Sequence, residues 1–136
     1  MNYLLDTNVC IALINGRSAK ARAQYEQAAC DGSRLTTSSV VAHELWYGVA
    51  KSANVGPNAR RLREFFARDL AVLDLTEQDA HAAGEIRAEL ERRGVRIGEH
   101  DTLIAGQSFA RNLILVTANT REFARVKGLV VEDWTR

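Results

Sequence analysis

The chain has 136 residues, of which 46% are hydrophobic and 26% are charged. This composition is typical of a soluble globular protein, and the length predicts a single domain over residues 1–136. The 18 basic residues nearly cancel the 17 acidic ones, which excludes a global electrostatic attraction to nucleic acid and leaves only local clusters. No apolar run reaches the roughly 18 residues of a membrane span. The first residues also lack the basic region of a signal peptide, so we expect a cytoplasmic protein with no membrane contact.

The two cysteines, Cys10 and Cys30, have no spacing typical of a metal site. Each lies in a pattern typical of a helix. We therefore expect two small buried thiols rather than a disulfide.

The first half of the chain alternates between strand-like and helix-like patterns. In chain order the predicted elements are a strand over 3–5, a helix over 9–15 ended by Gly16, a helix over 19–29 capped by Ser18, a strand over 35–37, a helix opened by Ser38 or Ser39 with Val41, Leu45 and Val49 on one face, a loop over 54–58 holding the only proline, and a helix over 60–70.

The second half continues the alternation. The segment Thr76-Glu77-Gln78-Asp79 resembles a capping box, which predicts the start of a helix. In chain order the predicted elements are a strand over 72–75, that capped helix ending near Gly94, a helix over 101–111, a continuously apolar strand over 113–116, a short helix over 122–125 and a strand over 129–131. Such alternation predicts an α/β fold, a parallel sheet between two layers of helices in a three-layer α/β/α sandwich.

Four acidic residues stand where such a sheet exposes its ligand-binding edge, although each has an ordinary structural explanation. Asp6 follows the first strand and can cap a helix, hold a cation or act as a nucleophile. Glu44 lies beside an apolar helix face, and Gly48 one turn later leaves open space next to it. Asp101 opens a helix, where an acid also interacts favourably with the helix dipole. Glu122 can form a capping box with Asn119.

The combination of these acids is more informative than any one of them. Strand ends and the following helix starts share one edge of a parallel sheet, so the four side chains can converge there. Converging carboxylates repel unless a cation lies among them. A cluster of oxygen ligands without thiolate or imidazole suits Mg²⁺ or Mn²⁺, which can lower the pKa of a bound water and clamp a phosphodiester.

Four segments resemble, in order and separation, the PIN-domain ribonucleases, and specifically the VapC-type toxins of bacterial toxin–antitoxin pairs. They are Leu4-Leu5-Asp6-Thr7-Asn8, Ser38-Ser39-Val40 through Glu44-Leu45 to Tyr47-Gly48, Ile97-Gly98 with Asp101 and Leu103-Ile104-Ala105, and Val116-Thr117 with Asn119-Thr120-Arg121-Glu122-Phe123. The resemblance covers essentially the whole chain and implies a PIN-like fold.

The resemblance implies that Asp6, Glu44 and Asp101 bind one or two Mg²⁺ ions that activate the attacking water. Either Glu122 or Asn119 completes the site, because relatives place the fourth acid at one or the other position. The side chains expected to support it by hydrogen bonds are Thr7, Asn8, Thr117 and Asn119.

The resemblance also implies partners. Such toxins are typically homodimers, neutralised by a VapB-type antitoxin that wraps a groove of the early helices and can push an arginine into the acidic site. They cut structured RNA, often a transfer RNA, and leave a 5′-phosphate and a 3′-hydroxyl; the resemblance makes initiator transfer RNA a candidate substrate here. Two basic clusters are candidates for the RNA path or are solvated helix faces. The clusters are Arg60, Arg61 and Arg63, and Arg87, Arg92, Arg93 and Arg96.

Two other functions compete with this one. A phosphatase with Asp6 as a covalent nucleophile would resemble haloacid-dehalogenase-like enzymes, but these need a second aspartate two residues on, where this chain has Asn8. A catalytically inactive PIN-like binding module has no need to keep all three of Asp6, Glu44 and Asp101. A dinucleotide-binding domain is excluded because no glycine-rich turn follows the first strand.

Overall fold

The computed structural model describes residues 1–136, and its centre is a sheet of five parallel strands. The strands are β1 Asn2–Leu5, β2 Arg34–Ser38, β3 Ala71–Leu73, β4 Ile114–Val116 and β5 Val131–Glu132. They lie side by side in the order β3-β2-β1-β4-β5, so β1 is the central strand. Leu4, Leu5, Leu115 and Val116 are fully buried, which explains why β1 and β4 read as continuous apolar runs.

Seven helices connect and flank the strands. They are α1 Thr7–Asn15, α2 Ala19–Cys30, α3 Ser39–Ala50, α4 Val55–Phe66, α5 Glu77–Arg92, α6 Glu99–Ala110 and α7 Thr120–Phe123. None of them is both long enough and apolar enough to cross a membrane. The predicted fold class, a parallel α/β fold with flanking helices, is confirmed.

The chain reverses its direction of travel across the sheet at β1. From β1 it first moves to β2 and β3 on one side, and it later returns to β4 and β5 on the other. The register pairs Leu5 with Val116, so the residues that follow them, Asp6 and Thr117, emerge next to each other. Open parallel sheets place ligand crevices at such a switch point, outside the carboxyl ends of the strands.

Side-chain caps fix the starts of α2, α3 and α5 where the sequence predicts them. Ser18 caps α2 by accepting a hydrogen bond from the Ala21 N–H. Thr76 and Asp79 form both hydrogen bonds of the predicted capping box at the start of α5. Gly16 ends α1 in the left-handed conformation with φ of 65°, which explains why the helix stops at a glycine.

The predicted loop over 54–58 is wrong, because α4 begins at Val55 and contains Pro57 in its first turn. A proline is tolerated there because the first backbone N–H groups of a helix have no partner within it. The helix also ends at Phe66 rather than at Leu70. Cys30 is exposed at the end of α2, so only Cys10 is a buried thiol, and both are free as expected.

Several boundaries differ by a few residues. The helices α1, α6 and α7 each begin two residues earlier than predicted, and α7 ends at Phe123. The strand β3 ends at Leu73, and the Leu75 N–H donates instead to the Ser39 hydroxyl at 3.1 Å. The last strand lies over Val131–Glu132, and the predicted strand over 129–131 begins too early.

Candidate active site

Asp6 leaves the central strand and caps the first helix. Its Oδ1 accepts a hydrogen bond from the Thr7 N–H at 2.8 Å, and its own N–H donates to the Val116 carbonyl at 2.9 Å. Its Oδ2 accepts from the Thr117 hydroxyl at 2.7 Å. Only 4% of Asp6 is exposed. The capping role is therefore real, but it uses one oxygen and leaves the other among the polar side chains at the switch point.

Asn8 and Thr117 tie the end of β4 to the start of α1. The Asn8 Oδ1 accepts from the Ala118 N–H at 3.0 Å, and its Nδ2 donates to the Thr117 hydroxyl at 3.4 Å. The Thr117 hydroxyl also accepts from the Asn119 N–H at 3.0 Å. The Asn8 and Thr117 side chains thus lie in one hydrogen-bonded group around Asp6. Thr7 and Asn119 join this group through their backbone N–H groups, and the Thr7 hydroxyl is buried without a partner.

Glu122 on α7 reaches the start of α6. Its Oε1 accepts from the Gly98 N–H at 2.7 Å, and its Oε2 accepts from the Asn119 Nδ2 at 2.9 Å. The alternative of a capping box is wrong, since the Asn119 side chain makes no cap hydrogen bond and Glu122 bonds across to another element. Asn119 and Glu122 therefore act together, with the amide orienting the acid.

Gly98 allows Asp101 and Glu122 to approach the same point. A Cβ on Gly98 would lie 3.6 Å from the Asp101 Oδ2 and 3.9 Å from the Glu122 Oε1. A larger side chain at this position would occupy the space between the two carboxylates. Gly98 lies in one of the segments that carry the resemblance, but the sequence assigned it no role; the structure places its N–H against Glu122 and its open side beside Asp101.

Glu44 approaches the acidic edge from α3 and borders a cavity of about 210 Å³. One of its carboxylate oxygens, Oε1, is buried without a hydrogen-bond partner. The space beside Gly48 is open, as expected, because a Cβ there would meet nothing within 4 Å. His100 lies at the surface, as expected, with its Nδ1 3.9 Å from the Glu44 Oε1. An orphaned carboxylate oxygen beside an opening is suited to a cationic ligand.

The raised pKa of Asp101 reflects its burial and the proximity of the other three acids. Burial raises the pKa of Asp101, and the charges of Asp6, Glu122 and Glu44 raise it further, to about 7. Burial also raises the pKa of Asp6, against the opposing hydrogen bonds from Thr117 and Thr7. The hydrogen bonds from Asn119 and from the Gly98 N–H lower the pKa of Glu122. The Asp101 carboxyl is therefore partly protonated at neutral pH, with three other acidic side chains close to it.

The oxygen donors of these four acids are chemically suited to a hard divalent cation, but their spacing does not form a complete metal site. Carboxylate oxygens are the ligands that Mg²⁺ and Mn²⁺ prefer, and a cation would relieve the repulsion that raises the pKa of Asp101. No group of three or more His, Cys, Asp or Glu side chains is arranged to hold a metal ion by itself. Mg²⁺ usually keeps several waters and binds through one or two carboxylates together with substrate phosphates. A site with suitable oxygen donors but no preformed group of three ligands is therefore compatible with Mg²⁺.

The two basic clusters differ in how far they are already neutralised. In α5 and the residues after it, Arg87 pairs with Glu91 at 3.2 Å and Arg93 pairs with Glu89 at 2.7 Å. The α4 arginines form no ion pair, and the Arg63 guanidinium lies 5.5 Å from the centre of the Trp46 ring. The α4 cluster therefore keeps more of its charge available for a polyanion.

The parallel fold and its acidic edge define the class of protein. The family model of the PIN domain matches residues 3–129, nearly the whole chain. The chain therefore belongs to the PIN-domain family, and its relatives place it among the VapC-type toxins of that family. A Salmonella typhimurium protein named tRNA(fMet)-specific endonuclease VapC is 40% identical over 134 residues, covering 98% of both chains. Ribonuclease VapC2 of Rickettsia felis is 38% identical over 136 residues, covering 100% of both.

Solved structures show the same similarity in three dimensions. The VapBC2 complex of Rickettsia felis, bound to a DNA fragment from its promoter, contains a chain with a TM-score of 0.92 and 38% identity, covering 98% of this chain and 99% of that one. A chain of VapBC-1 from nontypeable Haemophilus influenzae has a TM-score of 0.90 and 32% identity, covering 100% of both chains.

Proposed function

We propose that this VapC-type chain is a divalent-metal-dependent endoribonuclease that hydrolyses a phosphodiester of transfer RNA. The observation that carries the proposal is the convergence of Asp6, Glu44 and Glu122 on Asp101. Burial and the charges of these three acids together raise the pKa of the Asp101 carboxyl to about 7. A protein that used these acids only as helix caps or surface charges would have no reason to bring them together against their repulsion. Similar proteins are named ribonucleases, which agrees with chemistry at a phosphodiester.

The roles of the acids follow from their positions. Asp6, Glu44 and Asp101 would hold Mg²⁺ or Mn²⁺, with Glu122 as a fourth acid. Such an ion supplies Lewis-acid activation of a water and neutralises the phosphate oxygens during in-line displacement. Asp6 is held in one orientation by Thr7, Asn8 and Thr117, so it loses little side-chain entropy when it binds a ligand.

Glu122 is positioned by two donors, from Asn119 and Gly98, that keep it ionised. Asp101 has the opposite property, since it carries a proton for part of the time near pH 7. Asp101 would give up that proton on binding a cation, because its charged form is the better ligand. Metal binding is therefore expected to tighten as the pH rises towards 7 and to release a proton.

The substrate class is proposed from the relatives. The Salmonella typhimurium relative is named for cleavage of tRNA(fMet), and this chain matches it over 98% of its length. We therefore propose initiator transfer RNA as the first candidate substrate. Because transfer RNA acts in translation, in the cytoplasm, we expect the protein to act there.

A VapB-type antitoxin is the proposed regulatory partner, as in the related VapBC complexes. The 210 Å³ cavity beside Glu44 offers a place for it. Its apolar lining suits an amphipathic segment, and the orphaned Glu44 Oε1 suits an arginine from that segment. The apolar side chains that line the cavity are Ile11, Ile14, Leu45, Val49 and Leu62. We also propose that the toxin is a homodimer, as is typical of the family.

The test is cleavage of purified initiator transfer RNA and of total RNA in Mg²⁺ and in EDTA. We expect discrete fragments with 5′-phosphate and 3′-hydroxyl ends in Mg²⁺ only. Asp6→Asn and Asp101→Asn should each lower the rate by at least about 10²-fold, since each removes a charge from the site. Glu26→Gln, which removes an exposed acid on α2, is the matched control and should cleave like the wild type.

Other outcomes would favour the competing functions. Cleavage that survives EDTA, or that Asp101→Asn leaves unchanged, would contradict the metal site. Turnover of a phosphomonoester through a covalent phosphoenzyme on Asp6 would identify a phosphatase. Folded protein, free of antitoxin, that binds RNA but cuts none would identify an inactive binding module.

A further inference from the structure

Exposed aromatic side chains form a line that leads away from the acidic edge. His100, in the first turn of α6, meets His43 on α3 with 5.6 Å between ring centres and the rings at 89°. Tyr47 follows His43 by four residues on the same helix, so the two side chains share one face of α3. We call His100, His43 and Tyr47 the aromatic track.

The folded chain does not use these rings as core. All three residues are exposed, and 60% of Tyr47 is open to solvent. One turn beyond Tyr47, the Lys51 ammonium lies 4.8 Å from the centre of the Tyr47 ring. The line therefore ends in an exposed positive charge. Solvent-exposed aromatic rings beside a cation typically bind a ligand that has both planar groups and negative charge.

The track begins at the proposed site of cleavage. The His100 Nδ1 lies 3.9 Å from the Glu44 Oε1, and Glu44 is the chain neighbour of His43. A ligand that lies on the track would thus have one end among the carboxylates. This continuity indicates the same ligand for both surfaces.

From this geometry we propose that the aromatic track binds unpaired nucleotides of RNA next to the cleaved phosphodiester. The bases stack on the rings, and Lys51 contacts a backbone phosphate. The inference rests on the proposed ribonuclease function and adds to it a requirement for single-stranded nucleotides beside the cut. Stacking on aromatic side chains is the usual way in which proteins hold splayed bases, and it tolerates any base because each has a π face.

The spacing of the rings favours single strands over duplexes. Four residues of α-helix separate His43 from Tyr47 by about 6 Å along the axis. Bases within a duplex strand stack face to face about 3.4 Å apart, so that neighbouring bases cover both faces of each. Only an unstacked strand can present one base to each ring.

The experiment measures binding in EDTA, where the RNA stays intact, so that it is independent of cleavage. The probe is a fluorescent oligoadenylate of about ten nucleotides, within the usual range for a single-strand site. A duplex RNA of the same length is the comparison. We expect Tyr47→Ala to weaken binding of the single strand by about tenfold or more and to leave duplex binding within about twofold.

Three further variants separate stacking from other effects. Tyr47→Phe keeps the ring and should bind like the wild type. Phe109→Ala removes another exposed aromatic ring, 48% exposed, at the end of α6 away from His100 and should also bind like the wild type. Lys51→Gln should lower the slope of log affinity against log salt by about 0.7, whereas Tyr47→Ala should leave that slope unchanged.

Unchanged affinity in Tyr47→Ala, or equal losses in Tyr47→Ala and Tyr47→Phe, would overturn the proposal. So would a loss accompanied by a different oligomeric state in size-exclusion chromatography, which would assign Tyr47 to a subunit contact. Binding that responds as expected in a protein that cuts no RNA would uphold the track and refute only the nuclease. Cleavage that depends on Asp101, together with unchanged binding in Tyr47→Ala, would support the nuclease and refute the aromatic track.

Discussion

Replacing Asp101 with asparagine should stabilise the metal-free protein at alkaline pH. In the folded chain the pKa of Asp101 is raised from 3.8 to about 7 by burial and by the charges of Asp6, Glu122 and Glu44. Below about pH 4 the carboxyl is protonated in both the folded and the unfolded chain, so it has no effect on stability. Between pH 4 and pH 7 the unfolded chain loses this proton first, and the stability of the wild type falls.

The size of the effect follows from the same pKa. A rise from 3.8 to about 7 corresponds to about 4 kcal/mol. Because the side chain is only half-buried, solvent screening reduces this to about 2 kcal/mol. For a chain of this size we expect the melting temperature of Asp101→Asn in EDTA to exceed that of the wild type by about 6 °C at pH 8, with a much smaller difference at pH 5.

The assay is thermal unfolding followed by circular dichroism at both pH values, with and without Mg²⁺. Glu99→Gln is the matched control, because it removes another acid from the same helical turn and hence a similar interaction with the helix dipole. Mg²⁺ should raise the melting temperature of the wild type and not that of Asp101→Asn. Equal pH dependence in the wild type and Asp101→Asn would refute the convergence of charges, and with it the main support for the proposed site.

Two predictions concern the framework that holds α6. A Cβ on Gly106 would lie 2.6 Å from the Ala83 backbone, whereas a Cβ on Gly84 of the facing helix would meet nothing within 4 Å. In urea unfolding, Gly106→Ala should therefore lower the free energy of unfolding by about 3 kcal/mol, and Gly84→Ala should leave it unchanged or raise it. Similar stabilities of the two variants would contradict this packing. Arg111→Ala should cost about 3 kcal/mol, because Asp79 is 1% exposed and would keep a buried charge without its partner at 2.8 Å. A loss below about 1 kcal/mol in the same assay would mean that water replaces the arginine.

The position of Asp6 shows how one residue serves the fold and the site together. It caps α1 with Oδ1 and faces the other polar groups with Oδ2. Of the three explanations that the sequence offered for Asp6, capping a helix and holding a cation are therefore compatible with each other. A buried carboxylate is stable here because three donors, the Thr7 N–H, the Asn8 amide and the Thr117 hydroxyl, hold it at the end of the central strand.

Local signals were sufficient wherever a single segment decides its own structure. The alternation of strand-like and helix-like patterns determined the fold class, and the capping residues Ser18, Ser38 and Thr76 determined the helix starts. The same local reasoning failed over 54–58, because a proline in a first helical turn and a proline in a loop give nearly the same sequence.

The meeting of distant residues was decided only by the tertiary structure. The sequence could name Asp6, Glu44, Asp101 and Glu122, but not that Glu122 reaches Gly98 instead of capping its own helix. Nor could it bring His43 against His100, since these residues lie on different helices. Helix caps and strand patterns depend on neighbours within a few residues, whereas a site depends on strand order and register, which arise only when the whole sheet packs.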